Sequence, residues 1–309
     1  MAITAGMVKE LREMTGAGKM DCKKEINATD GDIKKAFQIL REKGLATAQK
    51  KAGRVAAEGI VATALTEDAK KAVVVEVNAE TDFVAKNEKF QNYVADVAAQ
   101  ALTTTAADVE AFLAEPWAAD NTKTVNEVLA SQIAVIGENM NIRRFEQIEE
   151  ANGFVASYIH AGGKIGVLVD VETDVVNDAI KEMARNVAMQ AAALKPLYTS
   201  RDEVDADYIE KEKEILKTQA KNEKPDANDK IIDGMVMGRI NKELKEICLL
   251  DQVYVKAEDG KQVVSKYVEQ VAKENNAKIT IKKFVRFETG EGIEKVETDF
   301  AAEVAAQLK

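Results

Sequence analysis

Histidine is all but missing from this sequence, with His160 the only one in 309 residues. A zinc site built on imidazoles needs several, and the two cysteines, Cys22 and Cys248, lie too far apart in the chain to suggest a thiolate pair. No metal site is expected. The same two cysteines give no disulfide framework, and reduced thiols in a cytoplasm are the default reading. Long apolar runs are also lacking, so no segment is expected to span a bilayer. The opening stretch, Met1 to Gly16, has no basic region followed by an apolar one and does not read as a secretory signal. Positive charge is in deficit: 43 Lys+Arg stand against 53 Asp+Glu, a formal net charge of -10. Such a chain repels a phosphate backbone unless it carries a local basic patch. The densest basic stretch, Lys50, Lys51 and Arg54, is short and has no interleaved aromatics on which bases stack. Direct nucleic-acid binding is therefore disfavoured.

What is present is the balance of a globular protein, 46% hydrophobic and 31% charged, in a chain long enough for two domains. Residues 1–54 read as three helices. Thr4 can cap a first helix carrying Met7, Val8, Leu11 and Met14, which Gly16 stops. Gly18 precedes a short second helix with Met20, Cys22 and Ile26. A third opens after Thr29–Asp32, carries Ile33, Phe37 and Leu40, and is expected to end at Gly44. Ala46–Arg54 follows as a basic connector, helical or flexible.

From Gly59 the period changes from helix to strand. Ile60–Leu65 and Val73–Val77 read as strands joined by a polar turn at Glu67–Lys71, with a helix from Phe90 to Leu102 behind them. The same order then recurs. Gly153-Phe154-Val155-Ala156 answers Gly59-Ile60-Val61-Ala62 at a spacing of 94 residues (153 − 59). Ile165–Val169 answers the second strand, Glu172-Thr173-Asp174 answers Glu80-Thr81-Asp82, and Val187–Ala191 answers Val97–Ala101. Two copies of a strand–strand–helix unit predict an α+β fold with antiparallel sheets, its halves at 55–150 and 151–288. The second half is interrupted at about 199–247. Stripes of Val204, Tyr208, Ile215 and Ala220, then Ile232, Val236, Ile240 and Leu244, flank a turn at Pro225 and predict an antiparallel helical hairpin. Strand character returns over Lys278–Phe287. Residues 289–309 close the chain with an amphipathic helix placing Phe300, Val304 and Leu308 on one face.

Few motifs suggest chemistry. Thr15-Gly16-Ala17-Gly18-Lys19 resembles a phosphate-binding loop, but Glu13 and Met20 stand where glycine and a hydroxyl residue are required, and a helix precedes it. Ser157 and His160 suggest a hydrolase pair, yet residues three apart on a strand face opposite ways and no nucleophile elbow surrounds the serine. Thr81-Asp82-Phe83-Val84-Ala85-Lys86-Asn87 is the most informative segment. By chemistry alone Asp82 reads as a helix cap and Phe83 as a core residue. The second copy, Thr173-Asp174-Val175-Val176, keeps the cap and loses the aromatic, which counts against a purely structural Phe83.

Taken in order, several segments resemble the elongation factor Ts family from end to end. They are Leu11-Arg12, Thr15–Gly18, Asp21–Lys24 and Gly31-Asp32; then Thr81–Lys86 and Ile136–Arg144; then Arg286–Glu288 and Gly290–Lys295. One departure is Val253, where relatives often carry proline. The resemblance implies a guanine-nucleotide exchange factor for elongation factor Tu, with no bond chemistry and no cofactor of its own. It implies a ubiquitin-associated-like domain at 1–54 that docks on the partner's nucleotide domain, a hairpin able to form a homodimer, and a last helix that clasps the partner. It makes Thr81, Asp82, Phe83 and Val84 the segment that displaces magnesium, with Arg12, Met20 and His160 as further contacts. A ubiquitin-like-ligand adaptor and a hydrolase using Ser157 and His160 stand as alternatives.

Overall fold

The computed structural model describes residues 4–294. The helix expected around Phe300, Val304 and Leu308 lies outside the described residues. Three helices come first. Thr4 caps α1 (Ala5–Thr15) by accepting a hydrogen bond from the Met7 N–H, and Gly16 ends it in the left-handed region. With α2 (Lys19–Ala28) and α3 (Ile33–Lys51), it encloses a small core of Val8, Leu11, Cys22, Ile26 and Ala36.

Two three-stranded antiparallel sheets follow. The first half contains β1 (Glu58–Leu65), β2 (Lys71–Ala79), the one-turn helix α4 (Asp82–Ala85), α5 (Glu88–Thr103) and α6 (Val109–Ala114). A small ribbon of β3 (Pro116–Trp117) and β4 (Asp120–Thr124) leads to α7 (Val125–Ile136) and β5 (Met140–Glu149). The second half contains β6 (Gly153–His160), β7 (Ile165–Thr173) and α8 (Asp178–Leu194). The hairpin of α9 (Ala206–Glu223) and α10 (Asp229–Ile247) comes next, then α11 (Val264–Glu274) and β8 (Ile279–Glu288). Strand orders β1-β2-β5 and β6-β7-β8 are the same, so the repeat inferred from sequence extends to a third strand in each half.

Side chains alternate across a strand, and here both faces of each central strand are covered. Val73, Val75 and Val77 of β2 join α5, α6 and α7 in one core, and Val167, Val169 and Val171 of β7 join α8 and α11 in another. The opposite faces of the two sheets meet through Val61, Val74, Ile148, Val155, Leu168, Val285 and Phe287. The order is therefore helix, sheet, sheet, helix. This explains why β2 and β7 read as nearly unbroken valine-rich runs.

Glu76 lies on the inter-sheet face of β2 and is fully buried at 0% exposure. A bulge in β5 lets both Arg143 and Arg144 reach it, at 3.0 and 2.6 Å. Asn78 Nδ2 donates to it at 3.0 Å, and so does the Gly290 N–H at 2.8 Å, beyond the end of β8. Gly290 has φ +73°, and a Cβ there would stand 2.1 Å from the Ala57 carbonyl, so only glycine fits. Arg144 also lies over the Phe287 ring at 4.1 Å. Burial alone would raise the Glu76 carboxyl, but these donors outweigh it and hold the group below its ordinary range. The repeat places Asp170 at the matching position, beside a matching bulge in β8. There the neighbour is another carboxylate, Glu150, which Lys282 meets at 3.0 Å. Burial and the Glu150 carboxylate raise Asp170 to about 6.

Three local expectations are corrected. Gly44 does not end the third helix, which runs on to Lys51. It is buried where α3 crosses α7, and a Cβ there would meet the Ala130 carbonyl at an ordinary contact distance of 3.8 Å, so the crossing does not demand glycine. The hairpin exists, but Ile215 and Tyr208 are exposed, and Leu216 fills the core with Ala220, Ile232, Val236, Ile240 and Leu244. Asp174 caps no helix: Asn177 caps α8, while Asp174 accepts from the Lys278 N–H at 2.8 Å. Among the described residues no helix is long and apolar enough to cross a membrane.

Candidate functional site

At the end of β2 the chain turns sharply into α4. Thr81, not Asp82, is the N-cap, its hydroxyl oxygen accepting from the Val84 N–H at 3.4 Å. Both residue types cap well, so sequence chemistry could not choose between them. Asp82 instead pairs with Lys86 one turn along, at 2.7 Å. That ammonium holds the Asp82 carboxyl below the usual range, with Lys164 adding to the effect and desolvation opposing it. Val84 and Ala85 turn inward to the first core. Phe83 points the other way and is 80% exposed, which overturns its reading as a core residue.

An exposed aromatic on a four-residue helix would be poorly fixed without a brace, and the loop between α7 and β5 supplies one. Glu138 accepts from the Thr81 N–H at 3.0 Å and from the Thr81 hydroxyl at 2.7 Å. Glu80 in turn accepts from the Asn139 N–H at 2.5 Å, and Asn139 Nδ2 donates to the Arg54 carbonyl at 2.7 Å. Gly137, with φ 88°, caps α7 and turns the chain so that Glu138 faces Thr81. Two motifs separated by more than fifty residues thus form one rigid tip. Glu138 and Asn139 stood inside the Ile136–Arg144 signature, but nothing in the sequence assigned them to this bracing.

The second half contributes the turn after β6. His160 and Ile159 are exposed there. Tyr158 Oη and His160 Nδ1 are 2.9 Å apart, so the imidazole is engaged by the tyrosine two residues away on the same strand face. Among the described residues no hydrogen bond joins Ser157 to His160. The Gly163 carbonyl accepts from the Val61 N–H at 2.7 Å, and Lys164 pairs with Glu58 of β1. These bonds tie the His160 turn to the strand that packs against α4, and Lys164 is near enough to act on Asp82. The structure therefore groups Thr81–Val84 with the His160 turn. Arg12 and the 72% exposed Met20 stand apart, on the three-helix unit. Among the described residues no three His, Cys, Asp or Glu side chains gather in a way that could hold a metal ion. Both cysteines are buried, and burial raises Cys248 to about 11, leaving it an unreactive thiol.

Comparison with known proteins agrees with this architecture. The family described as Elongation factor TS matches residues 80–291. A protein named Elongation factor Ts from Clostridium botulinum is 54% identical over 307 residues, covering 99% of each chain. One of the same name from Clostridium perfringens is 55% identical over 304 residues, covering 98% of each, and one from Clostridium kluyveri is 52% identical over 308 residues, covering 99% of each. With a match of this depth along nearly its whole length, the chain belongs to the elongation factor Ts family of translation elongation factors.

Proposed function

We propose that this protein accelerates release of guanine nucleotide from elongation factor Tu, and that Thr81–Val84 is the segment that displaces the partner's magnesium. One observation carries the reading: Phe83 is a large apolar side chain, 80% exposed, on a tip whose backbone is fixed by Glu138. Leaving such a group in water is unfavourable, and a rigid tip loses little entropy when it inserts into a partner. Asp82 beside it brings negative charge towards a site where magnesium bridges phosphate to protein, and displacing that ion leaves phosphate repulsion uncompensated. His160 and Ile159 extend the same surface. In this reading residues 1–54 are a ubiquitin-associated-like docking domain that presents Arg12 and Met20. The hairpin serves self-association, and residues 289–309 clasp the partner. The factor forms and breaks no covalent bond.

Exchange is a reciprocal coupling: what the factor subtracts from nucleotide affinity, nucleotide subtracts from factor affinity. Loosening nucleotide by about four decades takes roughly 5.5 kcal/mol of differential binding. Burying Phe83 supplies only about 1.5–3 kcal/mol. The docking domain and further contacts must provide the remainder. The test is stopped-flow release of fluorescent GDP from elongation factor Tu with and without the protein. Acceleration supports the exchange reading, and an unchanged rate removes it. The hydrolase alternative loses ground because Ser157 and His160, three residues apart on β6, face opposite sides of the strand, and among the described residues no hydrogen bond joins them.

A further inference from the structure

We propose that the cleft between the three-helix unit and the first half of the core is a binding site for a small phosphate-bearing anion. The cleft has a volume of about 790 Å³ and runs between the α1–α2 turn, α2 and α3 on one side and α5, β4 and α7 on the other. A recess of about 350 Å³ adjoins it, with Thr15, Gly16, Lys89, Ser131 and Val135 lining both. These dimensions suit a small molecule.

The charge of the cleft is the reverse of the chain's. The whole sequence carries a net charge of -10, yet among the described residues seven cationic side chains line the cleft against three carboxylates. Two of those carboxylates are already matched, Glu127 by Arg41 and Glu25 by Lys43. Lys123 pairs with Asp120 at 3.0 Å. Among the described residues this leaves Arg12, Lys19, Lys24 and Lys89 without an ion pair, against Asp21 in the cleft and Asp96 in the recess. A concave wall of like charges beside protein of low dielectric focuses potential and concentrates anions. Phosphate suits it because several lysines can share its oxygens as point charges.

The recess supplies an independent observation. Tyr93 lines it, is 3% exposed, and its hydroxyl has no hydrogen-bond partner among the described residues. Buried polar groups in native proteins are nearly always satisfied. Burial raises the Tyr93 phenol well above its ordinary value, so it stays an O–H donor, and because its oxygen is closed to solvent it meets a ligand acceptor only once the recess wall yields on binding. The site differs from a phosphate-binding loop of the strand–loop–helix kind. Thr15–Lys19 joins two helices, and side chains from two separately packed units converge on the anion. Arg12, Lys19 and Lys24 come from the three-helix unit and Lys89 from α5, so the ligand bridges the two and favours their docked arrangement. The inference is independent of the nucleotide-exchange reading.

The test is isothermal titration of the full chain with inorganic pyrophosphate and, separately, with AMP, at constant ionic strength. A Lys24→Glu/Lys89→Glu variant is run in parallel, its fold checked by circular dichroism and thermal melting. Saturable binding of either probe, weakened at least about tenfold in the double variant, supports the site. A weaker response to AMP alone in Tyr93→Phe identifies an organic phosphate, and equal responses identify a free polyphosphate. Absence of saturable binding, or binding that the double variant retains, overturns the proposal.

Discussion

At the scale of single residues, the candidate site depends on the contrast between Phe83 and its neighbours. Val84 and Ala85 anchor α4 in the core, while Phe83 makes no comparable burial. Substituting it should therefore cost little stability, within about 0.5 kcal/mol, as for surface positions generally. We expect Phe83→Ala to slow stimulated GDP release from elongation factor Tu at least about tenfold while leaving the melting temperature unchanged. Stopped-flow kinetics and calorimetry check the two halves of that statement, and an undiminished release rate would remove Phe83 from the mechanism. That Phe83 is not simply a core residue was legible in the sequence, because the second copy carries Val175 in place of the aromatic. The segment's conformation was not. Which of Thr81 and Asp82 becomes the cap depends on Glu138, a long-range partner that local chemistry does not reveal.

At the scale of elements, the strands and helices with one clean period were readable and those with an interrupted period were not. The β1-β2 and β6-β7 pairs follow from their valine-rich runs and Gly-marked starts. β5 escaped because its bulge sets Arg143 and Arg144 side by side and breaks the alternation that marks a strand. The hairpin shows the same limit within a helix. Ile215 and Leu216 are adjacent apolar residues, both compatible with a 3.6-residue stripe, and only the packing of α10 decides that Leu216 is inside. The hairpin core is a separate cluster, so damage to it should stay local. Leu216→Ala should destabilise α9 and α10 by about 2–5 kcal/mol. Hydrogen exchange should then show faster amides in both helices and unchanged protection in β2 and β7; faster exchange in the sheets would mean that the hairpin is not an independent cooperative unit.

At the scale of the whole molecule, the two halves are joined through carboxylates that the repeat places identically and the neighbours treat oppositely. Glu76 is held below the ordinary glutamate range by its donors, once burial is overcome. Its contribution to stability is present above the unfolded value, about 4.3, and is lost as pH falls through the folded one. Asp170 is raised by burial and by Glu150 from 3.8 to about 6. Its contribution is full below the unfolded value and disappears as pH rises through about 6. Lys282 and Lys283 face the same group and limit the rise. Urea midpoints between pH 4 and 7.5 should separate the two. Asp170→Asn should gain relative to the parent as pH rises through that window, and Glu76→Gln should lose most at neutral pH; parallel profiles would contradict both assignments. The repeat was visible in sequence, whereas the divergence of the paired carboxylates depends on Gly290 and Glu150, which only folding brings to them. The Gly290 contact with Glu76 has a further consequence. The far end of β8 is fastened inside the first half, and the Thr289 N–H donates to the Lys164 carbonyl at 2.9 Å. The connection at Ala151-Asn152, by contrast, is an exposed turn. A chain cut there should reassemble from its two pieces when they are co-expressed, and neither piece should be recovered folded by itself. Covalent continuity between the halves is then dispensable, and the inter-sheet face is what makes them one protein.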